Sequence, residues 1–261
     1  MEHAEAAEVC VICADERQWV PAEGQKWATL EGLRQAGRRV HVNELESDLF
    51  GLTVEPKVGI GQHSHLVRTG SGNLLWDPVG YLDGEAVERV RELGEVRAIA
   101  ASHPHMFGVQ VEWSKALGGV PVLVSEADLE WVQRPDPAIR TWRGRHEVAP
   151  GLTLQQIGGH FPGSSVVHWA PGAGGEGVLL VSDTIHANPD RATVTFLRSY
   201  PNRIPLSPTV VQRMTRAIAA LPFERLYDNF GHCIETGAAA AVGQSADRYC
   251  AWAWGEYDEL T

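Results

Sequence analysis

Apolar positions alternate with polar ones from Val58 onward, then give way to short apolar runs and to helical spacing. Val58-Gly-Ile-Gly-Gln-His-Ser-His-Leu-Val-Arg, the turn Gly70-Ser-Gly and Asn73-Leu-Leu-Trp-Asp together predict a β-hairpin. Residues 85–93 predict a helix, because Val87, Val90 and Leu93 share one face. A short apolar strand over 96–101, a helix over 109–117 and a second strand over 120–124 follow. A helix over 126–133 is stopped by Pro135. Residues 134–145 form a loop rich in proline and arginine that either caps a pocket or only connects elements. Three strands (152–157, 165–170 and 177–182), a helix (209–221), a strand (225–230) and a last helix (237–252) complete the pattern. The stretch up to about Asp48 reads as an extension with a polar loop and a short helix over 29–36, ended by Gly37. Hairpin strands, then strand–helix alternation, then more strands and helices predict an α/β domain of mixed sheets covered by helices. Reactive residues in such folds sit in loops just past the carboxyl ends of strands.

At 261 residues, 44% hydrophobic and 21% charged, the chain has the makings of a sizeable core. Its formal net charge of -11 argues against nucleic acid and anionic membrane as partners. No apolar run is long enough for a membrane span, and residues 1–8 lack the apolar core of a secretory signal, so a cytoplasmic location is expected. The 4 cysteines are too few for a disulfide scaffold. Cys10 and Cys13 form a C-x-x-C pair that reads as half a zinc site, a redox dithiol or a turn with two small thiols.

Three polar clusters stand at predicted strand ends: Ser102-His-Pro-His-Met-Phe-Gly, Gly158-Gly-His-Phe-Pro-Gly-Ser-Ser and Val181-Ser-Asp-Thr. A borderline-soft cation such as Zn²⁺ or Fe²⁺ favours neutral imidazole nitrogen and carboxylate oxygen. An H-x-H pair in extended backbone turns both rings to one side, and Pro104 biases His103 towards that geometry. His103, His105, His160 and Asp183 are therefore the candidate metal ligands. Any one histidine of the 11 more often serves as a hydrogen-bonded loop residue; three clusters at successive strand ends point to a metal.

These clusters resemble the metallo-β-lactamase superfamily, whose motifs are H-x-H-x-D-H, G-H-T-x-G-S, a strand-terminal Gly-Asp or Ser-Asp, and a late histidine. Gly159-His-Phe-Pro-Gly-Ser is similar to the second motif and Ser182-Asp-Thr to the third. Asp77 resembles the early aspartate that props the metal-ligand loop. The likeness runs from about Val58 to Tyr249. It implies a four-layer αββα sandwich, with residues 1–261 as one domain, 1–48 as the extension and 49–261 as the core. The C-x-x-C-x-D-E-R-Q of the extension, with S-H-P-H, resembles a subgroup of metallo-hydrolases. The first motif departs from the pattern: Phe107 stands at the aspartate and Gly108 at the second-ion histidine, and neither side chain can coordinate. One ion is therefore expected rather than two.

The resemblance implies a hydrolase in which metal-activated water attacks an ester, thioester or lactone carbonyl of a small molecule. Zn²⁺ is the expected cofactor, with Fe²⁺ or Mn²⁺ as alternatives. Asp183 or His232 takes the general-base role, although His232 also reads as a distant ligand, a substrate donor or a surface residue. Two other readings stay open: a mononuclear iron oxygenase using His103, His160 and Asp183, and a non-catalytic member in which the metal is structural or absent. Phe107, Tyr200 and Arg198 are candidate substrate contacts. Met106, Trp113, Phe196 and Arg203 are weaker ones, each equally readable as packing or an ion pair. His63 and His65 read as strand-face residues.

Overall fold

The computed structural model describes residues 2–5 and 7–261. Two short helices open the chain, α1 (Val11–Ala14) and α2 (Leu30–Gln35). Seven strands then build the first sheet in sequence order: β1 (Arg39–Glu46), β2 (Leu49–Glu55), β3 (Ser64–Val67), β4 (Asn73–Trp76), β5 (Val96–Ala100), β6 (Val122–Ser125) and β7 (Ile139–Trp142). Neighbours from β1 to β4 run antiparallel, and those from β4 to β7 run parallel. The parallel half needs crossovers, which α3 (Gly84–Glu92) and α4 (Gln110–Ala116) supply. Asp83 caps α3 by accepting the Ala86 amide at 2.9 Å.

The second sheet begins with β8 (Arg145–Ala149), β9 (Leu152–Gln156), β10 (Ser165–Trp169) and β11 (Val178–Leu180). Two short ribbons interrupt it, β12 (His186–Ala187) with β13 (Val194–Thr195), and β14 (Leu197–Ser199) with β15 (Ile204–Pro205). Helix α5 (Pro208–Ala219), strands β16 (Arg225–Tyr227) and β17 (Cys233–Ile234), and helix α6 (Ala238–Ala253) follow. The sheet order is β17-β16-β11-β10-β9-β8, with β11 and β16 the one parallel pair.

Side-chain alternation along each strand sorts residues between cores. In β4, Leu74 and Trp76 point between the sheets, onto Leu154, Val167 and Leu180, while Leu75 faces outward with Val90 and Trp113 of the helical layer. On the far side, Val166 and Leu179 pack against Val211, Met214 and Ile218 of α5 and Val242 of α6. Each such aliphatic side chain contributes about 1.5–3 kcal/mol of burial. The result is mixed sheets covered by helices, as the strand and helix pattern predicts, in the helix–sheet–sheet–helix layering that the family resemblance implies.

Four local readings are corrected. Residues 39–46, inside the stretch read as an extension, form the edge strand β1 and pair with β2 over nearly their whole length. The hairpin strand starts at Ser64 rather than Val58, so His63 lies in a loop. The predicted helix over 126–133 is a 3-10 segment, Glu126–Trp131. Within 134–145, read as a loop, Ile139–Trp142 pairs with β6 as β7, the last strand before the chain crosses to the second sheet.

Candidate metal centre

Three strand ends, those of β5, β9 and β11, deliver four donors, and a fourth, that of β4, supplies the aspartate that props them. Asp77 follows β4 at a positive φ of 52°, and its Oδ1 accepts the Ser102 amide at 2.5 Å. This ties the loop after β5 to the neighbouring strand and fixes where His103 begins. His103 is extended, at φ -168° and ψ 173°, but Pro104–Met106 is a single 3-10 turn. The two rings of His103 and His105 thus converge through a turn and not through extended backbone, because Pro104 occupies the first position of the turn, where its fixed φ is favourable. His160 follows β9 in a loop closed by the Ser164 carbonyl, which accepts the Ile157 and Gly158 amides at 2.8 Å each. Gly159 in that loop has φ +94°, and a Cβ there would meet Met214 Sδ at 2.4 Å. Asp183 stands in the 3-10 turn Ser182–Thr184 just past β11.

The donor atoms of His103, His105, His160 and Asp183 lie within 4.8 Å of one another, and all four residues are buried. His103 Nδ1 is paired with Ser102 Oγ at 2.8 Å, which leaves Nε2 facing inward without a partner. His160 Nδ1 donates to the Leu197 carbonyl at 3.2 Å, so its Nε2 presents a lone pair to the centre. That Nε2 is 3.2 Å from His105 Nδ1. Burial, reinforced by the neighbouring imidazoles, pushes His160 down to about 3 and His105 well below its ordinary value. Asp183 would be raised by burial, but its contacts with His103 and His186 outweigh that and hold it well below the carboxylate range. The neutral rings of His105 and His160, with donor nitrogens 3.2 Å apart, are turned inward beside the His103 ring and the ionised Asp183 carboxylate. His103 Nε2 stands 3.6 Å from Asp183 Oδ2, too far for a hydrogen bond and suited to two donors on one cation. The donor set fits a first-row divalent ion.

A second group adjoins the first. His186, Asp228 and His232 also bring their donor atoms within 4.8 Å of one another. Asp228 Oδ1 accepts the amides of Phe230 and His232 at 2.8 and 2.9 Å, while Oδ2 faces His232 Nδ1 at 2.9 Å and His186 Nε2 at 3.6 Å. His186 Nδ1 lies 3.8 Å from Asp183 Oδ1, linking the two groups. His186 and Asp228 were not among the sequence candidates. The strand predicted over 225–230 put Asp228 in its interior, whereas β16 ends at Tyr227 and leaves Asp228 at a strand end as Asp183 is after β11.

The other candidates are distributed unevenly. Tyr200 borders the centre, its hydroxyl donating to the Asp183 carbonyl at 3.2 Å and its ring 5.0 Å from that of His186. Phe107 is buried in the core between the first sheet and its helices, with Met106 and Trp113, because the turn at 104–106 directs it there. That placement corrects the reading of Phe107, Met106 and Trp113 as substrate contacts, and Phe196 is likewise buried beneath α5 and α6. Arg198 is paired with Glu16 at 2.5 Å, and Arg203 is exposed. Gly108 has φ +54°, and a Cβ there would stand 1.8 Å from the Pro78 carbonyl oxygen, so no side chain fits that position. His65 is buried with its ring 6.0 Å from Tyr227, and His63 joins Asn229 through backbone hydrogen bonding at 2.8 Å.

The N-terminal segment reaches the centre as well. Arg17 Nε donates to the His160 carbonyl at 2.8 Å while its guanidinium lies 3.9 Å from the Phe161 ring centroid. Gln18 Nε2 is 3.3 Å from His105 Nδ1. Both belong to the C-x-x-C-x-D-E-R-Q string, the sequence signal that could have found them. Cys10 is a free thiol lowered to about 5 by hydrogen bonding to Cys13, with His3 Nε2 at 3.2 Å from its sulfur.

A family model described as the metallo-beta-lactamase superfamily matches residues 59–227. Uncharacterized protein YmaE of Bacillus subtilis (strain 168) is 40% identical over 254 residues, covering 95% of this chain and 92% of its own. Among solved structures, the metallo-β-lactamase FIM-1 from Pseudomonas aeruginosa in a mono-zinc form is similar with TM-score 0.59 at 15% identity, over 81% of this chain and 96% of its own. TTHA1623 in a di-iron-bound form gives 0.54 at 22% identity, over 74% and 96%. The two structural likenesses speak to fold alone. The family match spans well over half of the sequence, and its motifs fall on the strand ends that carry the four donors: the chain belongs to the metallo-β-lactamase superfamily.

Proposed function

We propose that the protein is a metal-dependent hydrolase acting on an ester, thioester or lactone carbonyl of a small molecule. The observation that carries this reading is the convergence of His103 Nε2, His105 Nδ1, His160 Nε2 and Asp183 Oδ2 on one buried point. A divalent ion bound there supplies Lewis acidity, lowering the pKa of water towards about 7 and polarising a carbonyl. The protein's own part is to hold the His105 and His160 rings neutral, the Asp183 carboxylate ionised, and all of the donors fixed. Ser102 and the Leu197 carbonyl orient the outer nitrogens of His103 and His160, and Asp77 fixes the loop behind them. His232 is half-buried at the more open side and hydrogen-bonded to Asp228, a placement suited to moving a proton to or from a substrate atom. The rings of Tyr200 and Phe230 flank His186 at 5.0 and 5.5 Å and offer a small substrate an apolar wall.

The test is metal content of protein purified without added metal, followed by turnover of a panel of esters, thioesters and lactones before and after chelation. Hydrolysis that chelation abolishes, that zinc restores and that His105→Ala lacks is the expected result. Oxygen consumption without hydrolysis would replace this reading with the iron oxygenase. A chain that binds metal and turns over nothing, with His105→Ala changing only stability, would reduce the site to a structural one.

A further inference from the structure

The family's second-ion positions are closed here: Phe107 is buried in the core, and Gly108 has no room for a Cβ. We infer that the protein nevertheless holds a second divalent cation at a different set of residues, His186, Asp228 and His232, beside the first centre. The inference rests on the proposed first site only for its neighbour, since its own three donors form an independent set.

Spacing carries the argument. Two donors bound to one ion at about 2.0–2.1 Å, with angles between about 90° and about 120°, stand about 2.8–3.6 Å apart. Asp228 Oδ2 is 2.9 Å from His232 Nδ1 and 3.6 Å from His186 Nε2, so both separations fall in that range. The longer one exceeds a hydrogen bond, which ends near about 3.2 Å. The same 3.6 Å separates His103 Nε2 from Asp183 Oδ2 in the first centre. His186 Nδ1, buried, has no hydrogen-bond partner and stands 3.8 Å from Asp183 Oδ1. A plain ion pair of His186 with either carboxylate would be expected to close these gaps.

Asp228 is oriented as a ligand. Two backbone amides saturate Oδ1, and its own amide donates to the His232 carbonyl at 3.1 Å, closing the turn that carries both residues. Oδ2 is thereby aimed at the two rings with little freedom left to lose. Two imidazoles and one carboxylate favour Zn²⁺ or another first-row divalent ion, and leave positions open for a ligand from the side on which His186 and His232 are partly exposed. Placed there, a second cation would lie next to the Asp183 carboxylate, where it could bind an anionic oxygen of substrate or product.

The experiment is chelator-stripped full-length protein dialysed against buffered Zn²⁺ and counted by elemental analysis, with Co²⁺ titrated in parallel and followed by its visible absorption. The parent chain is expected to take up two equivalents, with distinct Co²⁺ spectra for the first and second. His186→Gln should take up one and lose the second spectrum, and His105→Ala should keep the spectrum that His186→Gln loses. Far-ultraviolet circular dichroism confirms that each variant is folded, and Asp228→Asn serves as a second variant should His186→Gln misfold. One equivalent in the parent chain, or two retained in folded His186→Gln, overturns the second site and leaves the hydrolase reading intact. Zero equivalents overturns both.

Discussion

His160 gives a direct thermodynamic handle on the centre. Its ring is buried, and burial together with His103 lowers it from an ordinary 6.5 to about 3. In the metal-free protein, lowering the pH from about 7 to about 5 lets the unfolded chain protonate this ring while the folded chain keeps it neutral. The sign follows: a histidine depressed in the folded state supports stability above its ordinary value and withdraws that support as pH falls towards the folded one. Over those two pH units the loss is about 2 kcal/mol from His160 alone. His160→Asn removes the titration, and an asparagine amide can still donate to the Leu197 carbonyl that His160 Nδ1 now serves. Urea unfolding of both proteins in chelator at the two pH values isolates the term, because most other groups titrate alike in each. The parent should lose about 2 kcal/mol more than the variant. Parallel losses would mean that the ring is hydrated and freely protonated in the folded chain, and the reading of His160 as a buried neutral donor would have to be abandoned.

Asp77 has the opposite sign: burial raises it to about 7, so the stability it contributes is present at low pH and lost as pH rises from its ordinary 3.8 through that value. Asp77→Asn should remove this loss, gaining on the parent by up to about 1.4 kcal/mol per pH unit across that window in chelator-treated unfolding experiments. Phe107→Asp, which restores the family's carboxylate, should instead bury an unpaired charge in the helical core. Calorimetry should show a destabilisation of about 3–5 kcal/mol, with no additional zinc equivalent on elemental analysis.

The middle of the fold was legible because its strands are apolar on both faces or alternate cleanly, as in Leu74-Leu-Trp and Val178-Leu-Leu. The first sheet's edges were not. In β1, Val40 is buried and Val42 is packed on its rim, but Arg39, His41 and Glu44 point to solvent. One covered face on a charged strand leaves too little apolar signal to separate it from a loop. β7 is only four residues, with Arg140 and Thr141 exposed, and its strand character comes from pairing with β6. The 3-10 turn at Pro104–Met106 was hidden by its own proline, which suits extended backbone at His103 and a helical first position at residue 104 equally well.

The first four donors were readable because each ends a recognisable strand, whereas the second group depends on which strands are neighbours. His186 and His232 are 46 residues apart, and α5 intervenes. Parallel pairing of β11 with β16 sets Leu180 beside Tyr227, so the residues after each strand emerge side by side. Asp228 follows immediately, Asp183 after one further turn, and His186 returns from that turn towards both. A parallel neighbour separated by a long connection leaves no local trace in hydrophobic periodicity, and the strand predicted over 225–230 runs past the true end at Tyr227, so Asp228 was neither set at a strand end nor partnered. The same topology limits how this chain could carry a second ion. Pro78 closes the route through residue 108, and the side that remains open is the one on which β11 and β16 end together.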